Sequence, residues 1–259
     1  MSGPARAARA ARRLAGALLL ALAAGCAQLV PQTMALRTAW PEGVARTAEL
    51  DTVPFFPQDE YQCGPAALAT VLAFSGLAVT PEQLVSEVFL PARQGSLQIE
   101  MLATARRRGR VSYQLAPTYG DLLREVAAGN PVIVLQEVGI HPLFPQWHYA
   151  VVNGFDYPSG TVYLRSGLER RREMPFTAFE RTWMKSAYWA MVAAPPERIP
   201  ATATQEGWLA AVLAFARAER GEPLTQAYAA ALKRWPDNLP AAIGLANQYH
   251  ARGAYTEAV

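Results

Sequence analysis

The order of hydrophobic patterns along residues 47–195 most constrains the fold of this chain. A buried helix is predicted just after Cys63, and three amphipathic helical patterns follow it. Segments rich in β-branched and aromatic residues come later, at 131–135, 148–155, 161–164 and 188–193. The turn sequence DYPSG joins the second of these segments to the third and predicts a hairpin. Helices followed by antiparallel strands predict an α+β domain.

The N-terminus has the features of an export signal. Four arginines precede an apolar run of 11 residues, Leu14–Ala24, which is followed by Gly25 and Cys26. This run is shorter than the ~20 residues that span a bilayer, whereas a basic segment, an apolar core and small residues are typical of a signal peptide. We predict a lipoprotein signal peptide over 1–25 and acylation of Cys26. Because Ala27 rather than an aspartate follows Cys26, the predicted location is the outer membrane, facing the periplasm.

Removal of the signal peptide changes the charge balance. The full sequence has 24 basic and 21 acidic residues, a net charge of +3. The four arginines of the signal peptide leave 20 basic residues against 21 acidic ones, a net charge of −1. A nearly neutral chain whose arginine runs are short does not favour binding to nucleic acid. After residue 26, no apolar run reaches the ~18 residues of a membrane helix.

Cys63 is the only cysteine that remains once Cys26 is assigned to the lipid anchor. In an oxidising compartment, a leftover cysteine indicates a reactive thiol or an intermolecular disulfide. The predicted helix places Cys63 at a helix N-terminus, where unpaired N–H groups are expected to lower the pKa of the thiol. A structural role as a small buried hydrophobic residue is the alternative.

A thiolate that catalyses acyl transfer needs an imidazole partner. The chain has three histidines, and His148 is the candidate because it opens an apolar strand that would fix its position. His141 lies in a loop bracketed by prolines, and His250 lies in the helical C-terminal segment. The alternative for His148 is a histidine at the edge of the core.

Two sequence motifs carry a family resemblance. They are VPFFPQDEYQCGPAALAT at 53–70 and HYAVVNGFD at 148–156. Both resemble papain-like cysteine peptidases that cleave bacteriocin leader peptides after a double glycine, and the resemblance covers 47–195. It looks closest to a bacterial lipoprotein subgroup of that family.

The resemblance implies roles for particular residues. Cys63 corresponds to the nucleophile and His148 to the general base. Gln58 corresponds to the donor of the oxyanion hole, and Gln62 is the runner-up. A neutral amide suits this role because it stabilises negative charge without titrating near neutral pH.

The third catalytic position departs from the family pattern. The family has Asp or Asn at the end of the strand after the histidine strand, where this chain reads YLRSGLE. Asp156 belongs to the hairpin turn, about 26 Å from His148 along a straight strand. Antiparallel pairing about this turn places Leu168 opposite His148 and makes Ser166 the equivalent position. A hydroxyl accepts the imidazole N–H but offers no charge stabilisation, and Glu169 is an alternative.

The flanking segments differ in composition from the central domain. Residues 26–46 lack strong periodicity and are predicted to be a spacer, and the proline-rich stretch 196–204 is predicted to be a linker. Residues 205–259 are rich in alanine and repeat with a spacing of 32, as in Gly221 and Gly253.

The repeat pattern resembles tetratricopeptide repeats, whose period is about 34 residues. A simple helical bundle is the alternative. Repeats of this kind could bind a protein partner. The sequence stops where a last helix has barely begun, which indicates either a fragment or an incomplete final repeat.

Together these features predict a lipid-anchored cysteine peptidase that acts on a peptide or protein substrate and needs no metal or organic cofactor. Two alternatives stay open. One is a catalytically silent module that binds peptides in the same cleft, which the missing acid at position 166 favours. The other is an acyl or amide transferase that uses the same Cys–His pair. Aminolysis rather than hydrolysis of the acyl-enzyme would distinguish this transferase from the peptidase. The presence of Gln58, Cys63 and His148 favours catalysis.

Overall fold

The computed structural model describes residues 30–57, 62–139 and 144–258. The predicted signal peptide, Cys26, Gln58 and His141 lie outside the described residues. The helices of the described part are α1 Pro31–Thr38, α2 Cys63–Phe74, α3 Pro81–Val88, α4 Gln98–Arg107, α5 Tyr119–Ala127, α6 Phe176–Trp183, α7 Gln205–Phe215, α8 Glu222–Arg234 and α9 Leu239–Ala251. The strands are β1 Thr47–Glu49, β2 Phe89–Leu90, β3 Gly95–Ser96, β4 Val111–Gln114, β5 Val132–Glu137, β6 Trp147–Asp156, β7 Thr161–Ser166, β8 Glu169–Pro175 and β9 Ala190–Ala194. No helix in these three ranges is long and apolar enough to cross a membrane.

An antiparallel sheet forms the centre of the fold. Its strand order is β4-β9-β5-β6-β7-β8, and β1 pairs with the far end of β6. Strands β2 and β3 form a separate short hairpin. This architecture confirms the predicted mixed α/β fold with an antiparallel sheet.

Both faces of the sheet are covered, which explains why the central strands are apolar at nearly every position. On one face, Ile133 and Val151 pack into a core with α2, α3 and α4. On the other face, Val134 and Val152 pack into a core with α5 and α6. Helix α2 is buried on most sides and contacts β6, so the sheet fixes the position of its N-terminal residue, Cys63.

The register of the hairpin between β6 and β7 confirms the prediction over its central part. Val151 lies opposite Arg165, and Val152 lies opposite Leu164. Beyond this pair, a bulge at Asn153 shifts the register by one residue towards the turn. Strand β7 ends at Ser166, where the chain turns directly into β8.

The predicted pairing of Leu168 with His148 is therefore wrong. Gly167 adopts a left-handed conformation with φ of 59° and reverses the chain after Ser166. Leu168 lies in this reversal and is 75% exposed. The sequence pattern did not reveal that the strand ends one residue before Gly167.

The predicted spacer is wrong over residues 30–46, because this stretch packs against the domain. Val30 and Leu36 are buried. The carboxylate of Glu180, which is itself fully buried, accepts hydrogen bonds from two backbone N–H groups in the first turn of α1, at 2.9 and 2.6 Å. These N–H groups have no partner within a helix, and negative charge is favourable at this end. Glu180 lies on α6 and thus attaches α1 to that helix.

The predicted linker at 196–204 is also packed against the domain. The buried side chain of Glu125 accepts hydrogen bonds from the backbone N–H and the hydroxyl of Thr202, both at 2.6 Å. Helix α7 follows and contacts β4, and Trp208 is fully buried in the same core as Val111 and Val132. The proline content indicated a break between domains, but the hydrogen bonds and the shared core make this segment part of one structure.

Helices α7, α8 and α9 pack in sequence order. Gly221 and Gly253, the residues related by the repeat spacing, follow α7 and α9 and have positive φ angles of 70° and 75°. Helix α9 approaches α8 closely at Gly244, where a Cβ atom would lie 2.4 Å from the ring of Tyr228. The tetratricopeptide character of these helices and their binding of a protein partner stay predictions.

Candidate active site

Cys63 is the first residue of α2, and it lies against the start of β6. The backbone N–H groups of Tyr149 and Gly64 point at its sulfur and lower the pKa of the thiol, but burial has the larger effect and raises it. The expectation of a lowered pKa is therefore wrong in direction. The position at a helix N-terminus is as predicted, but the sheet that holds α2 also removes water from the sulfur.

His148 lies near the start of β6, and its ring Nε2 is 2.8 Å from the hydroxyl oxygen of Ser166. Burial, with a smaller contribution from the nearby positive charge of Arg172, lowers the pKa of His148 to about 4. The imidazole is thus neutral at neutral pH. In the tautomer whose Nε2–H donates to Ser166, Nδ1 is the basic nitrogen.

The structure brings Ser166 to His148, while the carboxylates of the other two candidates have other partners. Asp156 is at the distant hairpin turn, opposite Thr161. Glu169 is largely exposed and lies 3.8 Å from Arg172 in an ion pair. The short β7 explains this arrangement, because the last residue before the chain reversal is the one that faces the imidazole. A catalytic role for Ser166 stays a prediction.

Cys63 and His148 line one cleft with a volume of about 710 Å³. The β2–β3 hairpin and the residues just after it form one wall, and the start of β6 forms the other. Arg93 is the only charged residue among the described residues that line it. Several large apolar side chains at or beside the cleft are exposed, namely Leu97, Phe144, Trp147 and Leu168.

Glu137 supports the chain that leads into His148, a role that no sequence pattern indicated. Its carboxylate accepts hydrogen bonds from the backbone N–H groups of Gly139 at 2.6 Å and Gln146 at 3.2 Å, and it forms an ion pair with Lys185. The hydrogen bond from Lys185 is the main reason why the pKa of Glu137 is lowered. A glutamate at a strand end looks solvent-exposed in sequence, and its partners become apparent only in the folded chain.

The predicted oxyanion-hole donor, Gln58, lies outside the described residues. Gln62 directly precedes α2, but its side chain makes no capping hydrogen bond to the helix. Within the described ranges, no group of three histidine, cysteine or acidic side chains could hold a metal ion.

Comparison with known proteins gives a family and several similar folds. The model of the Peptidase_C39 like family matches residues 50–191. No curated protein matches the chain.

Among solved structures, a C39-like peptidase from Bacillus anthracis is 19% identical, with a TM-score of 0.47 over 57% of this chain and 97% of its own. A double glycine motif protease from an AMS/PCAT transporter, in complex with the leader peptide, is 22% identical, with a TM-score of 0.43 over 58% of this chain and 95% of its own. The peptidase domain of Streptococcus ComA, a bifunctional ABC transporter, is 22% identical, with a TM-score of 0.45 over 55% of this chain and 98% of its own.

Proposed function

The chain belongs to the Peptidase_C39 like family, and from this premise we propose that it is a cysteine peptidase whose nucleophile is Cys63 and whose general base is His148. The observation that carries the proposal is the 2.8 Å contact between His148 Nε2 and Ser166 Oγ. This contact orients the ring in the cleft that also contains Cys63. An oriented imidazole beside a thiol is the arrangement that nucleophilic catalysis requires.

In the proposed reaction, the Cys63 sulfur attacks the carbonyl carbon of the peptide bond as His148 Nδ1 takes the thiol proton. The developing oxyanion is stabilised by the backbone N–H of Cys63 and by the side chain of Gln58. His148 then gives the proton to the leaving amine, and the C–N bond breaks. Water, deprotonated by His148, hydrolyses the thioester and restores the thiol.

The resting state of this site differs from a thiolate–imidazolium pair. Burial raises the pKa of Cys63 and lowers that of His148 to about 4, so both groups are neutral near pH 7. We infer that the proton moves to His148 only as the sulfur attacks. This is general-base catalysis, and without a carboxylate beside the ring the imidazolium receives little stabilisation.

We propose a peptide or protein segment as the substrate. The apolar side chains that line the cleft, such as Leu97 and Trp147, are exposed to water, and a bound peptide would cover them. Apart from Arg93, the described residues that line the cleft are uncharged, which suits a peptide backbone better than a strongly charged ligand.

The neutral resting state also supports a second candidate function, a module that binds peptides without cleaving them. It would use the same cleft and would need neither a reactive thiol nor a stabilised imidazolium. Measurement of both binding and cleavage separates it from the peptidase.

Cys63→Ala and His148→Ala are each expected to reduce cleavage of a fluorogenic peptide with a central Gly-Gly by at least ~10³-fold, because each removes a group that the reaction requires. The full chain is assayed by the release of fluorescence, with circular dichroism to confirm folding. Ser159→Ala, at the exposed hairpin turn, is the matched control. Cleavage that persists in folded Cys63→Ala would contradict the proposal, and binding without cleavage in the unaltered chain would support the silent module.

We further propose that the enzyme is a lipoprotein of the outer membrane, anchored through acylated Cys26. Expression in a Gram-negative host is expected to place the unaltered chain in the membrane fraction and the Cys26→Ser variant in the soluble periplasmic fraction, because the variant lacks the thiol that carries the lipid. Immunoblotting of the fractions is the measurement. Sedimentation of Cys26→Ser with the membranes would show that the anchor prediction is wrong.

A further inference from the structure

Ser96 has an unsatisfied hydroxyl beside the nucleophile. It is the last residue of β3, in the wall of the cleft that faces the start of β6. Its Oγ atom is closed to solvent and has no hydrogen-bond partner among the described residues. A buried polar group without a partner has already lost its hydrogen bonds to water. A ligand that reaches it therefore gains a hydrogen bond at little further cost of desolvation.

The position of Ser96 is tightly fixed. The hydroxyl of Tyr149 donates to the backbone carbonyl of Ser96 at 3.2 Å, and the backbone N–H of the same tyrosine points at the sulfur of Cys63. Tyr149 is buried and stands edge-on to the ring of Trp189. One residue therefore holds both the cleft wall and the nucleophile.

Gly64 brings the Ser96 hydroxyl close to the nucleophile. A Cβ atom on Gly64 would lie only 2.2 Å from Ser96 Oγ, so a glycine is needed after Cys63 for the serine to occupy this place. The hydroxyl thus packs against the residue that directly follows the nucleophile. To reach a ligand in the cleft, the hydroxyl must turn away from Gly64 by rotation about the Cα–Cβ bond of Ser96.

We propose that the Ser96 hydroxyl donates a hydrogen bond to a backbone carbonyl of the bound peptide next to the scissile bond, with Tyr149 as its positioning residue. This inference rests on the proposed function, because it assumes that a peptide occupies the cleft. A backbone carbonyl is the acceptor that every peptide offers, so this contact aligns the substrate with Cys63 whatever its side chains.

The test measures peptide binding rather than cleavage, in the full chain with Cys63→Ala. A fluorescein-labelled peptide with a central Gly-Gly is titrated by fluorescence anisotropy, and Ser96→Ala is expected to weaken its affinity by about 10-fold, the effect of one hydrogen bond. The matched control is Ser112→Ala, which removes the other buried hydroxyl without a partner in the described residues. Ser112 lies in β4, outside the cleft, so its removal should leave the affinity unchanged.

Two further measurements separate this contact from a structural role. Neither serine variant should lower the melting temperature, because neither hydroxyl has a partner to lose. In the second measurement, the carbonyl oxygen of one glycine of the peptide is replaced with sulfur, a weaker acceptor. At one of the two glycines, this replacement should reduce the affinity of the peptide for the protein with Ser96. The same replacement should leave the affinity for the Ser96→Ala protein unchanged.

Equal affinity of the Ser96 and Ser96→Ala proteins would overturn this inference and leave the proposed function standing. A Ser96→Ala protein that binds weakly because it melts at a lower temperature would also overturn it. If the peptide neither binds to Cys63→Ala nor is cleaved by the unaltered chain, the proposed function fails and this inference fails with it.

Discussion

Replacement of Ser166 by aspartate is expected to increase kcat/KM for peptide cleavage by about 10²-fold or more, because a carboxylate beside His148 stabilises the imidazolium that forms during attack. Ser166 Oγ is 2.8 Å from Nε2, and a carboxylate is one atom longer, so it reaches the same nitrogen from the end of β7. The serine is buried, which makes the added charge effective on its neighbour.

The same variant changes the pH dependence in a defined direction. Burial and Arg172 lower the pKa of His148 to about 4, and a carboxylate at position 166 opposes both effects and raises it. A protonated imidazole in turn favours the thiolate, so the pKa of Cys63 falls. In the unaltered chain, the pH midpoint for alkylation of Cys63 by iodoacetamide should therefore lie above ~8.5, the pKa of a free thiol. In Ser166→Asp, this midpoint should lie at a lower pH.

Two variants serve as controls for this prediction. Ser166→Ala, which leaves Nε2 without its hydroxyl partner, should reduce cleavage rather than increase it. Asp156→Asn should leave cleavage nearly unchanged, because Asp156 lies at the hairpin turn opposite Thr161. If a folded Ser166→Asp protein shows no increase in peptide cleavage and no increase in alkylation of Cys63, the imidazole does not use position 166.

The sequence predicted those parts of the site that depend on local patterns. The position of Cys63 follows from the start of an apolar helix, and the proximity of Ser166 to His148 follows from the turn between two consecutive apolar strands. Both predictions use contacts whose geometry is set within about 20 residues of chain, where periodicity and turn chemistry determine the register.

The sequence could not predict the features that depend on distant partners. Helix α1 has only eight residues and is attached by Glu180, which is 147 positions away from Thr33. The raised pKa of Cys63 results from its burial between α2 and the sheet, which no local pattern reports. The β2–β3 hairpin has two residues in each strand, too few to show a period, although it supplies Ser96 to the cleft.

Two buried glutamates connect the segments on either side of the central domain to it. Glu180 binds the first turn of α1, and Glu125 binds Thr202 just before α7. Both carboxylates accept several hydrogen bonds, which is the condition under which a buried carboxylate is tolerated. The composition of the flanking segments suggested flexible connections, whereas these contacts make them parts of the same folded unit.

Trp208→Ala is expected to destabilise the whole protein by about 3–5 kcal/mol, because it removes a large, fully buried side chain and leaves a cavity. Trp208 is 0% exposed and belongs to the core that also contains Val132 and Phe179. Urea denaturation, followed by both circular dichroism and Cys63 accessibility, should show one transition that moves to lower urea for both signals.

Leu213→Ala is the matched control, since Leu213 lies on the same helix but is 54% exposed. Its effect on the free energy of unfolding should stay within about 1 kcal/mol. If α7–α9 folded as a separate domain, circular dichroism would show two transitions, and Trp208→Ala would move only the transition of these helices. Cys63 would then become accessible at the same urea concentration as in the unaltered chain. Movement of both signals together would mean that the C-terminal helices contribute directly to the stability of the domain that contains Cys63.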